Sequence, residues 1–174
     1  MRTVKSLFQL CLLKGSPSNL PYSPQWLGVI LTIHILLNLA SYPTRSQITL
    51  PEFTGVMAAS YAILFVVLYA ILYFRKMTVR FLKTLLAYLG TELLFLLILF
   101  MVMVVVQATM TSAAPLILLA SIVWMFAVKA YILKLSLDTQ TVIGVLIAIN
   151  VEILRSVPIM VAYMPTLTQH GVIQ

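Results

Sequence analysis

Charge is what this chain has least of. Only 9% of its 174 residues are Asp, Glu, Lys or Arg, and just four of them are acidic. Soluble domains carry about a quarter charged residues. So few charges cannot cover a soluble surface without exposing wide apolar area. Cysteine is nearly absent as well: Cys11 is the single one, which excludes an internal disulfide. There are two histidines, His34 and His170, and no HExxH, CxxC, Gly-rich phosphate loop or GxSxG elbow. These gaps argue against a metal enzyme, a nucleotide enzyme or a serine-nucleophile enzyme. The expectation is a non-catalytic protein with no cofactor and no metal.

What the chain has instead is apolar length. Hydrophobic residues make up 62% of it, and they fall into five runs that can each cross a bilayer as a helix. The first begins at Ser23-Pro24-Gln25-Trp26, with Ser23 as cap and Pro24 at the first helical position, and ends near Ala40. The second spans about Pro51–Phe74, with Glu52 in its first turn, where the helix dipole favours a carboxylate. The third runs from Thr78 to Thr109, the fourth from Ser112 to Lys134, and the fifth from Thr139 to Met164, stopped by Pro165. Pro158 predicts a kink inside the fifth. The fold class expected is all-α: a polytopic bundle of five transmembrane helices over residues 23–164. A basic amphipathic segment, 1–22, precedes it, and a short tail, 165–174, follows. In the N-terminal segment Val4, Leu7, Phe8 and Cys11 share a helical face, which suits a short helix lying on an anionic leaflet.

The net charge of +7 raises the question of nucleic acid. The basic residues sit in clusters at span ends, which is membrane topology rather than a nucleic-acid face. Arg2, Lys5, Lys14, Arg75, Lys76, Arg80 and Lys83 form the surface group on one side, joined by Lys129 and Lys134; the other side has only Arg45. By the positive-inside rule the N-terminus is cytoplasmic and the C-terminus outside, with a bacterial inner membrane as the expected location. Lys129 is expected near the cytoplasmic end of the fourth helix, snorkelling outward.

Polar residues inside the spans are the functional clue. Glu152 and Arg155 lie three apart on the fifth helix and share a face. Glu152 falls about 18 Å in from the helix start at 1.5 Å per residue. Buried charge in lipid is expensive, so it is paired or faces a cavity. His34 and Asn38 share a face of the first helix, with His34 expected to meet Glu152 and Asn38 to meet Arg155. Glu92, in the third span, has no basic neighbour on its own helix. These five are predicted to form one buried cluster, either a structural ion network or a transport site. Small residues mark close helix packing: Gly144 and Ala148 on the fifth helix, and Gly55, Ala58, Ala59 and Ala62 on the second. Tyr61, Phe65, Tyr69 and Tyr73 recur every four residues, either as plain packing or as the wall of a lipid groove.

Five spans, a basic amphipathic start leading through SPSNLPYSPQWL into the first helix, and an outside C-terminus resemble the Yip family. Those are small five-helix membrane proteins of endomembranes, with bacterial inner-membrane relatives. The DLYGP signature of the eukaryotic members is absent, and no residue role is carried over. The function expected is an organising or accessory subunit that binds membrane lipid, and another membrane protein or a second copy of itself. The alternative is a small transporter or proton-coupled carrier working through the Glu/Arg cluster.

Overall fold

The computed structural model describes residues 2–40, 49–109 and 114–169, with side chains described at 3–40, 49–102 and 115–162. Arg45, His170 and the side chain of Arg2 lie outside those limits. Every regular element among the described residues is helical. The six helices are α1 (Arg2–Cys11), α2 (Pro24–Ala40), α3 (Leu50–Phe74), α4 (Phe81–Thr109), α5 (Ala114–Leu137) and α6 (Thr141–Gln169). The regions of α3, α4, α5 and α6 are long and apolar enough to cross a membrane, and α2 is a shorter apolar helix of 17 residues, at the lower limit for a span. The protein is an all-α, multi-pass membrane bundle. Two ends differ from the expectation: α5 continues three residues past Lys134, and α6 continues through Pro165 to Gln169.

The helix ends follow local chemistry. The Ser23 hydroxyl accepts from Trp26 N at 3.4 Å and opens α2. Glu52 does more than meet the dipole, since its Oε2 accepts from both Thr49 N (2.8 Å) and Thr49 Oγ1 (2.9 Å), which fixes the entry to α3. Three helices end on a left-handed residue that is not glycine: Leu13 after α1, Lys76 after α3 and Asp138 after α5, at φ 57°, 58° and 49°. Each is followed by a bond back across the last turn: Lys14 N to Gln9 O, Met77 N to Leu72 O, and Thr139 N to Lys134 O. Arg75 and Arg80 donate to Leu137 O (3.3 Å) and Ser136 O (3.2 Å). Two residues expected to be simply surface charge therefore cap α5, where a helix C-terminus welcomes cations. Lys83 donates to Ser18 O at 2.8 Å and ties down the 3-10 turn Pro17–Asn19, one of two among the described residues, the other being Thr78–Arg80. Lys5, Lys14 and Lys76 are exposed as expected.

α4 is the axis. It packs on α1, α2, α3 and α5, and α6 fills the space between α3 and α5. Half of the most apolar stretch of Thr78–Val102 is buried, against 17–28% for the other long spans. Gly144 lets α6 close on α5: a Cβ there would meet Ala130 O at 2.7 Å. Ala148, one turn on, is 1% exposed. The other small-residue patch is not covered by the described bundle. Gly55, Ala58, Ala59 and Ala62 point outward, and nothing lies within 4 Å of a Cβ on Gly55. No helix among the described residues packs closely there.

α1 also departs from its predicted role. It seats into the bundle against α4 and α5, burying Thr3, Leu7, Leu10 and Cys11. Gly90 makes room for it, since a Cβ there would strike the Leu7 side chain at 2.7 Å. Val4 and Phe8, predicted to share the face of Leu7 and Cys11, are each 50% exposed on the outer side. Trp124 Nε1 donates to Cys11 O (2.9 Å) and Tyr131 Oη to Gly15 O (3.0 Å), satisfying carbonyls at the last residue of α1 and just beyond it. Burial pushes the Cys11 thiol up to about 11.

A buried ring of four charges

Four charged side chains from three helices close a ring. Glu92 of α4 accepts from Arg155 of α6 at 2.7 Å and lies 3.2 Å from Lys129 Nζ of α5. Lys129 Nζ is 2.7 Å from Glu152 Oε1. Arg155 and Glu152, neighbours on α6, are 3.8 Å apart. The short pairs run between helices, and the intrahelical pair predicted from spacing is the loosest of the four. Two carboxylates and two cations leave no net charge, which is what a low-dielectric interior requires.

Lys129 does not snorkel. Its side chain is 1% exposed, and it is the innermost member of the ring. Side chains on a helix lean toward its N-terminus. α5 ends at the basic end of the bundle, so Lys129 leans inward, away from that surface. Glu152 and Arg155 lie on α6, which begins at the basic end, and they lean back toward it. The opposite helix directions bring ammonium and carboxylate to one level.

Aromatic groups frame the ring. Tyr88, fully buried, donates its hydroxyl to Glu152 Oε1, and its ring lies 4.8 Å from Lys129 Nζ. The Arg155 guanidinium lies over the Tyr61 ring at 5.2 Å. Asn38 Nδ2 donates to Tyr61 Oη (3.2 Å) and to His34 O (2.7 Å). His34 Nε2 meets Leu89 O at 3.0 Å, and its Nδ1, fully buried, has no hydrogen-bond partner among the described residues. A carbonyl only accepts, so Nε2 carries the proton and Nδ1 presents a lone pair in the neutral ring. His34 and Asn38 thus belong to the cluster through Leu89 and Tyr61. The pairings expected of them, with Glu152 and Arg155, are replaced by these.

A cavity of about 260 Å³ opens against the ring, lined by Glu92, Lys129, Glu152, Arg155, His34 and Asn38 among others. Next to it an apolar groove of about 280 Å³ runs between α2 and α3, walled by Leu31, Ile35, Leu39, Phe53, Ala58 and Phe65. Asn38, Met57 and Tyr61 line both spaces. Of the aromatic stripe on α3, Tyr61 and Phe65 serve this groove. Tyr69 and Tyr73 stack on each other beyond it, at 6.3 Å, with Tyr69 edge-on to Phe81.

Sequence reasoning found Glu92, Glu152, Arg155, His34 and Asn38, and missed Lys129 and Tyr88. A signal for each exists. With two carboxylates and one arginine inside the spans, charge balance demands a second cation, and Lys129 is the remaining candidate within an apolar helix. Tyr88 is four residues before Glu92 and shares its face.

The fold and ring define a class: a small polytopic α-helical membrane protein with a neutral ionic network inside its bundle. No family model, curated protein or solved structure matches the chain.

Proposed function

We propose that this protein is a non-catalytic membrane subunit that holds an amphiphilic lipid in the groove between α2 and α3. The lipid's apolar chain lies along Leu31, Ile35 and Phe65, and its polar end reaches Asn38, Tyr61 and the ring. The observation that carries this reading is the junction itself: an apolar groove and a charged cavity share Asn38, Met57 and Tyr61. Such a pairing of apolar wall with a few convergent polar groups is how small-molecule sites are built. In this proposal the outward Gly55, Ala58, Ala59 and Ala62 face serves a membrane partner or a second copy, because small residues let another helix approach. The Yip-like arrangement belongs to the same proposal, with the basic end in the cytoplasm of a bacterial inner membrane.

The test fills the groove. Ala58→Trp is expected to leave the thermal midpoint of the delipidated protein unchanged and to strip co-purifying lipid, read by native mass spectrometry in mild detergent. Equal lipid retention in wild type and variant contradicts the proposal. A carrier is the second reading, favoured by ring carboxylates that line a cavity beside the free Nδ1 of His34. It predicts that Glu152→Gln abolishes flux in proteoliposomes while the protein still assembles.

A further inference from the structure

A second polar cavity, remote from the ring, lies at the basic end. It holds about 430 Å³ between the 3-10 turn, the start of α4 and the end of α5. Arg80, Lys83, Ser16, Ser18, Ser136 and Asp138 line it. Arg80 and Lys83 each spend one bond on a backbone carbonyl, to Ser136 and Ser18. A guanidinium has five N–H donors and an ammonium three, so both retain donors for a ligand. Ser136 is the informative member. It is 2% exposed, and its hydroxyl has no hydrogen-bond partner among the described residues. A buried hydroxyl left unsatisfied is destabilising, and alanine would fit in its place. Retaining it makes sense if something in the cavity bonds to it.

We propose that this cavity is a headgroup site for an aminophospholipid. The phosphate sits against Arg80, Lys83 and the Ser136 hydroxyl, and the primary ammonium meets the Asp138 carboxylate. Charges of both signs lining one cavity select a zwitterionic head over a purely anionic one. The cavity lies where the spans Thr78–Val102 and Pro115–Leu137 begin and end, which is headgroup depth. Guanidinium and ammonium groups beside serine hydroxyls are the ordinary chemistry of phosphate capture. The site is separate from the α2–α3 groove and does not depend on it.

The experiment measures thermal midpoints of the full chain, delipidated and then titrated with phosphatidylethanolamine or phosphatidylglycerol in mixed micelles, with free phosphoethanolamine as a competitor. Wild type is expected to be raised more by phosphatidylethanolamine than by phosphatidylglycerol. Ser136→Ala is expected to match or exceed wild type without lipid, yet to need about tenfold more phosphatidylethanolamine, the loss of one charge-assisted bond. Asp138→Asn is expected to erase the preference between the two lipids. Displacement by phosphoethanolamine at matching concentration assigns the site to a soluble phosphoester, and its failure assigns it to a lipid. Ser136→Ala removes only an atom without a described partner and stays folded, whereas a change at Arg80 also removes the bond that caps α5. Identical lipid titrations for wild type, Ser136→Ala and Asp138→Asn overturn the proposal.

Discussion

The two halves of the bundle are built on different principles. At the basic half, every residue from Thr84 to Thr91 of α4 is buried, because α1, α2, α3 and α5 all pack on that helix. In the far half of the same helix, Leu96, Leu97, Ile98, Phe100 and Met101 are exposed. The sealed half is packed like a soluble core, with side chains of one chain filling each other's gaps. The open half leaves its apolar surface for lipid, which is as apolar as leucine and offers no hydrophobic penalty. The ring of charge sits where the two halves meet: Tyr88 holds it from the sealed side, and its cavity faces the open one. The groove between α2 and α3 also opens where the packing stops.

Breaking the boundary should cost most. Lys129→Met leaves two carboxylates facing a single arginine and is expected to destabilise by about 3–5 kcal/mol, the range for an orphaned buried charge. The loss is read as a collapse of the monodisperse peak after detergent extraction. An unchanged profile would return Lys129 to a snorkelling role. Inside the sealed half, Leu10→Ala removes a fully buried side chain from α1 and is expected to cost about 2–5 kcal/mol, read as a lower thermal midpoint and faster proteolysis before α2.

Glycines rank the same contrast. Gly144→Ala drives a Cβ into backbone at Ala130 and should cost about 1–3 kcal/mol as overpacking. Gly90→Ala meets only flexible side-chain ends, those of Leu7 and Ile30, and should cost less. Gly55→Ala meets nothing among the described residues and should leave the monomer's midpoint unmoved, while weakening any partner that uses that face. An order of effects other than Gly144, Gly90, Gly55 would mean that the helices pack differently.

The smallest effect concerns reactivity. With its deprotonation pushed up to about 11, Cys11 carries little thiolate from neutral pH to pH 9. A folded sample is expected to resist maleimide across that range and to label at once in denaturant. Rapid labelling of the folded protein at pH 7 would show α1 lifted off α4. In the open half, Leu97→Ala should fall within about 0.5 kcal/mol of wild type.

The spans were legible because apolar runs of this length have few other uses, and Ser23-Pro24 marked the start of α2 through its cap. Glu92, Glu152 and Arg155 were legible because lipid forces ionised groups together. Lys129 was misplaced because distance from a helix end was weighed without helix direction, and direction decides which way a lysine leans. The seating of α1 was hidden for another reason. Val4 and Phe8 continue its apolar pattern, so one stripe conceals two faces, and only the space at Gly90 shows which of them the bundle takes. The Gly55 patch was legible as a face for close packing, but small residues look alike on either side of a helix, so the sequence does not say on which side the neighbour lies.

The central claim is that Lys129 and Glu152 are partners across α5 and α6. A double-mutant cycle with Lys129→Met, Glu152→Gln and the pair, followed by thermal unfolding in one detergent, tests it most directly. The account predicts that the double variant is more stable than the sum of the single losses by at least about 1 kcal/mol, the mark of a direct contact. Losses that add to within about 0.5 kcal/mol would mean the two groups do not meet, and the ring would not exist as described.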